Sequence, residues 1–324
     1  MNLTHITGNT YCIDGATMSV LYKLPDGGCI LLDPGHPRDG KAIDELLIEN
    51  GLTVKGVLST HVHHDHFGNC RYFAEKYGLP VILPLGEAGC CRSLHSFAYT
   101  MGFLSTWVLS GSRAIMTVIG PVDETIGFNQ DKITVAGVEF EVIHTPGHSL
   151  DNVCFKTPDN VLVIGDVFSS HDVLKNLRAP YTSAIGLDIE SKKLIGKTDC
   201  GYCVLAHKGV VEGSELPKLA EANIAVLESM INNVEEIVDH PMHIDEIIPL
   251  FCEMRSIRGM SPGHGMHIRH VIGTILGYLI DNKKLVSSTT GGLTSYQPAD
   301  SASVSAGTQL TFSGTEMEGS YPKK

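Results

Sequence analysis

The chain opens with three short apolar segments, at residues 10–14, 18–24 and 29–33, separated by Gly15 and by Asp26, Gly27 and Gly28. Segments of this length between turn-forming residues predict the strands of a meander, which the Asp33-Pro34-Gly35 turn ends. Ile43, Leu46 and Leu47 then share one helical face and Gly51 supplies a stop, predicting a helix over 41–50. Residues 54–60 read as a strand that runs directly into a cluster of histidines. Cys70, Phe73, Ala74 and Tyr77 recur at helical spacing, and Gly78 and Pro80 close that helix. A strand follows at 81–83. Residues 85–120 keep no steady period and read as an irregular insertion able to cover a site. Strand patterns return at 133–135, 138–143, 153–156, 161–164 and 203–206. Two runs of strands interleaved with a few helices argue for a layered α/β architecture with mixed sheets.

The pattern changes near Gly213. Ser214 reads as a helix cap, and Ala220, Ile224, Leu227, Ile231, Val234 and Val238 form one apolar stripe. Two more helices are predicted, at about 243–255 and 267–282. Residues 1–213 thus form a main α/β domain and 214–285 a small helical module. Residues 286–324 are rich in Ser, Thr and Gly and read as a flexible tail, in which Leu310, Thr311 and Phe312 could add a strand. No internal repeat is visible.

Composition narrows the function classes. The formal net charge is −12 and no Lys/Arg run occurs, so neither nucleic acid nor an anionic membrane is an expected partner. No stretch of about 18 apolar residues exists, and the first 14 residues read as strands rather than a signal peptide. Nine scattered cysteines fit reduced thiols in a cytoplasmic protein. Cys200 and Cys203 form a lone CxxC in a strand-like run, which favours two packed thiols over redox chemistry.

Against this background one segment stands out: Thr60-His61-Val62-His63-His64-Asp65-His66, between a strand and a helix. His61 and His63 leave an extended chain on the same side, and Asp65 and His66 can aim back from the turn. Three more segments place a single ligand-type residue just beyond an apolar run: His148 in Thr145-Pro146-Gly147-His148, Asp166 after Ile164-Gly165, and His207 after Leu205-Ala206. Five His and two Asp form a donor set suited to zinc, manganese or iron rather than calcium. His64 points away under an extended reading and receives no role. His240, His243, His264, His267 and His270 read as helix-surface residues, since no carboxylate or cysteine pattern accompanies them.

These residues resemble the metallo-β-lactamase superfamily, whose defining segment is HxHxDH, over about residues 1–213. The resemblance implies an αββα sandwich, here with a small C-terminal helical domain of possible winged-helix kind. It implies two divalent metal ions, Zn2+ first and Mn2+ or Fe as alternatives. His61, His63 and His148 would hold the first metal, Asp65, His66 and His207 the second, and Asp166 would bridge them. Asp33 would orient a ligand histidine from behind.

By the same resemblance the chemistry is hydrolysis. Two cations about 3.5 Å apart bring a water's pKa near neutrality. Asp65 and Asp166 are the catalytic residues, with Asp65 as the proton acceptor. No GxSxG or phosphate-binding GxxxxGK[ST] loop competes with this reading. His63 argues against the flavodiiron branch, which carries Glu there; the absent signal peptide argues against a secreted β-lactamase; small size and the lack of a nuclease insert argue against the large RNA-processing members. What remains resembles the glyoxalase II, thioesterase and lactonase group, acting on small esters, thioesters or lactones. Tyr181 is a candidate substrate contact, and Lys192, Lys193 and Lys197 could meet a glutathione-type thioester. The helical module could mediate a homodimer. Two other readings stand beside this one: a mononuclear iron sulfur dioxygenase, and a non-catalytic effector-binding protein on the same fold.

Overall fold

The computed structural model of the chain describes residues 1–100, 105–259 and 261–300. Two sheets lie face to face. The first has five strands in sequence order, Leu3–Thr7, Thr10–Ile13, Ser19–Lys23, Gly28–Leu32 and Thr53–Leu58. Its first four strands form the expected antiparallel meander. The fifth runs parallel to the fourth, because the helix Gly40–Glu49 carries the chain back before it re-enters. The second sheet has six strands, ordered Val210–Glu212, Tyr202–Val204, Val161–Val163, Val153–Lys156, Val138–His144 and Lys132–Val135.

Period-2 alternation sorts the side chains into layers. Val20, Ile30, Leu32 and Leu58 from the first sheet meet Phe140, Val153, Phe155, Val161 and Val163 from the second in one buried cluster. The intervening residues point outward and are also apolar. Leu21, Leu31 and Val57 pack under Ile43, Leu47 and Phe73 of the helices on that side. Cys154, Leu162 and Cys203 pack under Ile195, Leu216 and Leu219 on the other. Sheets apolar on both faces need helices on both sides, and the result is the αββα sandwich.

The helix Leu216–Ile237 leaves the sandwich and enters the helical module. Its later turns pack with Ile244–Met254 and Pro262–Asp281 around Leu227, Val234, Phe251 and Ile272. Ile185 and Ile189 of the helix Ile185–Ile195, from the sandwich side, belong to the same cluster. No helix among the described residues is long and apolar enough to cross a membrane.

Two readings are corrected. The described residues of the 85–120 stretch are not irregular: they contain the helices Leu85–Cys91, Leu94–Thr100, Thr106–Ser110 and Arg113–Val118. None exceeds two turns, so none can show a period. The tail reading beginning at 286 also fails for its first part. Leu285–Thr290 and Leu293–Pro298 form an antiparallel hairpin, and Met242–His243 pairs with its second strand. The turn is Gly291-Gly292, with φ of 60° and 82°, the conformation a two-residue hairpin loop needs. The hairpin is held mainly by its backbone ladder, so its polar composition concealed it. The suggested strand at Leu310, Thr311 and Phe312 lies outside the described residues.

Candidate metal centre

The loops beyond one edge of the sandwich converge on a single point. Asp33 ends its strand with φ 49° and is buried. Its carboxylate accepts hydrogen bonds from Ser59 Oγ (2.9 Å), Thr60 N (2.8 Å), Thr60 Oγ1 (2.9 Å) and His66 Nδ1 (3.0 Å). These bonds fix the start of the histidine segment and the orientation of the His66 ring. The Thr60 hydroxyl gives its one proton to Asp33, so at 3.0 Å from His61 Nδ1 it accepts. That leaves the His61 Nε2 lone pair facing the centre. His63 precedes the short helix His64–Phe67 with extended backbone angles, and its ring turns back toward His61.

Two sets of ligand-type atoms result. His61, His63, His148 and Asp166 offer atoms within 4.8 Å of one another, and so do Asp65, His66, Asp166 and His207. Asp166 belongs to both. In the first set His61 Nε2 and His148 Nε2 each lie 3.0 Å from His63 Nδ1, and His148 Nε2 lies 3.4 Å from Asp166. In the second, Asp166 Oδ1 is 3.2 Å from His66 Nε2 and 3.3 Å from His207 Nε2, and Asp65 Oδ2 is 3.5 Å from His207 Nε2.

The electrostatics suit a cation. Burial drives His61 well below its ordinary pKa, His63 down to about 4 and His148 down to about 3, so these rings are neutral ligands at pH 7. Burial opposes a charge on His66 too, yet Asp166 and Asp33 outweigh it and lift its pKa well above the usual range. The carboxylates therefore impose a field that demands positive charge. His66 Nε2 is buried and faces Asp166 Oδ1 at 3.2 Å without hydrogen-bond geometry, although its Nδ1 is satisfied. A buried ring nitrogen aimed at a carboxylate, a knot of neutral imidazoles and two convergent carboxylates fit divalent transition-metal ions.

The structure brings together all seven residues and places Asp33 behind His66. It turns His64 away, against His36 at 5.4 Å between ring centroids. Tyr181 lies beside the centre, its ring 5.5 Å from His63 and 5.8 Å from His148. Lys192 is buried and bound to Asp188 at 2.5 Å, and Lys193 pairs with Glu190 at the surface. Cys200 and Cys203 are buried free thiols.

Three residues near the centre had no role in the sequence reading. Glu87 is 1% exposed and accepts from Val62 N at 3.1 Å and Asp151 N at 2.8 Å. His267 and His270 are not simple helix-surface residues, because both rings pack on Tyr181, at 5.3 and 5.5 Å. The only advance signal was that His267 and His270 share a helical face.

A family model described as the metallo-beta-lactamase superfamily matches residues 13–207. The probable metallo-hydrolase YqgX of Bacillus subtilis is 31% identical over 150 residues, 45% of this chain and 64% of that protein. A hydroxyacylglutathione hydrolase of Chromohalobacter salexigens is 29% identical over 143 residues, 44% of this chain and 43% of that protein. The chain thus spans less than two thirds of the length of these relatives. In fold, it is similar to a beta-lactamase domain protein from Burkholderia ambifaria, with a TM-score of 0.67 at 19% identity, covering 92% of this chain and 94% of that one.

Proposed function

This chain belongs to the metallo-beta-lactamase superfamily, and from that premise we propose that it is a binuclear metal-dependent hydrolase of small thioesters, esters or lactones. The observation that carries the reading is the pair of four-residue clusters that share Asp166. His61, His63 and His148 would hold one ion, Asp65, His66 and His207 the other, with Asp166 between them. Zinc is the first expectation, and manganese or iron would accept the same donors. When bound, such ions supply Lewis acidity toward a substrate oxygen and acidify water near neutral pH.

The chain's own groups supply the rest. Asp33 holds His66 Nδ1–H, which fixes the tautomer that presents Nε2. Asp65 is kept below the usual carboxylate range: burial raises it, but His66 and other nearby groups outweigh burial. It is ionised at pH 7, a quarter exposed at its side chain, and able to accept a proton on its carboxylate. Tyr181 stands at the rim, where its ring confines a substrate against His63 and His148. The relatives named hydroxyacylglutathione hydrolase support the thioester class.

The test is elemental analysis of the purified chain with a His61→Ala control, followed by a thioester, ester and lactone panel. About two equivalents of metal per chain, reduced in the control, with turnover of at least one class, is the expected result. One equivalent of iron with oxygen uptake on a persulfide would replace the reading by a dioxygenase. No metal after reconstitution would overturn it.

A further inference from the structure

Beside His63 lies a cavity of about 300 Å³, at the small end of the range for small-molecule sites. Among the described residues, Val62, Cys90, Phe97 and Leu150 give it apolar walls, and Tyr181 and His270 close one side. A second cavity of about 220 Å³, on the other flank, reaches His148, Asp166 and His207 and shares only the Tyr181 wall with the first. A substrate whose scissile bond sits over the ligand cluster therefore has a separate space for each half.

The polar groups of the first cavity are mostly committed elsewhere. Both oxygens of Glu87 accept backbone N–H groups. The Ser183 hydroxyl donates to Gly147 O, and the Thr100 hydroxyl to Phe97 O. An occupant thus meets apolar surface over most of the wall. The His270 ring closes one wall by stacking on Tyr181 with an interplanar angle of 10°.

Resting on the hydrolase reading above, we propose that this cavity is the subsite for an apolar acyl arm of the substrate. The helical module, through His270 and the Tyr181 ring it supports, then takes part in choosing the substrate.

The experiment is kcat/KM of the metal-loaded full chain on acetyl, butyryl, hexanoyl and octanoyl thioesters of one thiol. In the wild type kcat/KM rises about fourfold per methylene until the cavity is full, the factor expected for burying each CH2. Cys90→Phe, which fills the cavity, moves the break in the series to a shorter chain. Phe97→Ala, which enlarges it, moves the break to a longer one. A flat series in the wild type, or breaks that do not move in either variant, overturns the subsite. His270→Ala, which opens the wall on the side of the helical module, also moves the break to a longer chain. A break that stays in place in His270→Ala overturns the part of the helical module. If no thioester, ester or lactone is turned over, the hydrolase reading fails by itself. The cavity is then read by calorimetric titration with butyrate, hexanoate and octanoate. Affinity rising with length and lost in Cys90→Phe supports the subsite, and affinity independent of length overturns it.

Discussion

The carboxylate of Glu87 and the backbone amide of Asp151 meet at 2.8 Å across 64 residues of chain. The contact is reciprocal, because Gly86 N donates to Asp151 Oδ2 at 2.9 Å. The other Glu87 oxygen accepts from Val62 N, between His61 and His63. One buried carboxylate at the start of the helix Leu85–Cys91 thus ties together the His61-Val62-His63 segment and the loop that carries His148. Burial raises the Glu87 pKa against the pull of these amide bonds, so the carboxylate is held by the fold at a cost.

Glu87→Gln keeps the volume but sets an amide N–H against one of two backbone N–H donors. It is expected to lower stability by about 1–3 kcal/mol and to weaken metal binding by about 10–100-fold. Thermal unfolding and a zinc competition titration measure both. A variant with unchanged metal affinity would mean that Glu87 does not position the ligands.

Gly147 precedes His148 with φ 134°, and a Cβ there would stand 2.2 Å from the backbone nitrogen of Asp188. Backbone cannot move aside as a flexible side chain can. Gly147→Ala is expected to cost about 3 kcal/mol and to lose metal from the His148 set. Gly137→Ala is the control: its φ is also positive, at 80°, but nothing lies within 4 Å of a Cβ there, so only about 1 kcal/mol is expected. Urea unfolding of the two variants separates steric conflict from backbone strain.

Asp44, on the helix Gly40–Glu49, is 5% exposed and accepts hydrogen bonds from Lys76, Tyr77 and Tyr72. Desolvation pushes its pKa up, but the bonds from Lys76 and Tyr77 prevail and hold it below the ordinary value. A depressed folded pKa stabilises the fold above the unfolded carboxyl pKa of about 3.9, and that contribution fades as pH falls through the depressed value. Asp44→Asn should therefore destabilise by about 1–2 kcal/mol at pH 7, with the difference from wild type shrinking below pH 4. Urea midpoints at pH 7 and pH 3 test this, and a constant difference would contradict it.

The line of the chain by itself announced the layers and the candidate ligand set. Period-2 apolar runs with turn residues between them announced the meander and the second run of strands. Val20 and Leu21, buried in different clusters, show why alternation alone could not say which face met the other sheet: both faces are apolar. The HxHxDH segment was legible because four donors fall within six residues. His148, Asp166 and His207 each stand at the end of an apolar run, a position readable without coordinates.

The tertiary structure alone decided what surrounds that set. Glu87, His267 and His270 reach the centre from helices 19 or more residues away from any ligand, so no local spacing marks them. The short helices of residues 85–120 have too few turns to show a period, and the Leu285–Pro298 ribbon is held by backbone bonds that composition does not report. Ligands grouped by local sequence can be read from their spacing. The walls that would select a substrate arise from long-range packing, and only the folded chain brings His270 against Tyr181.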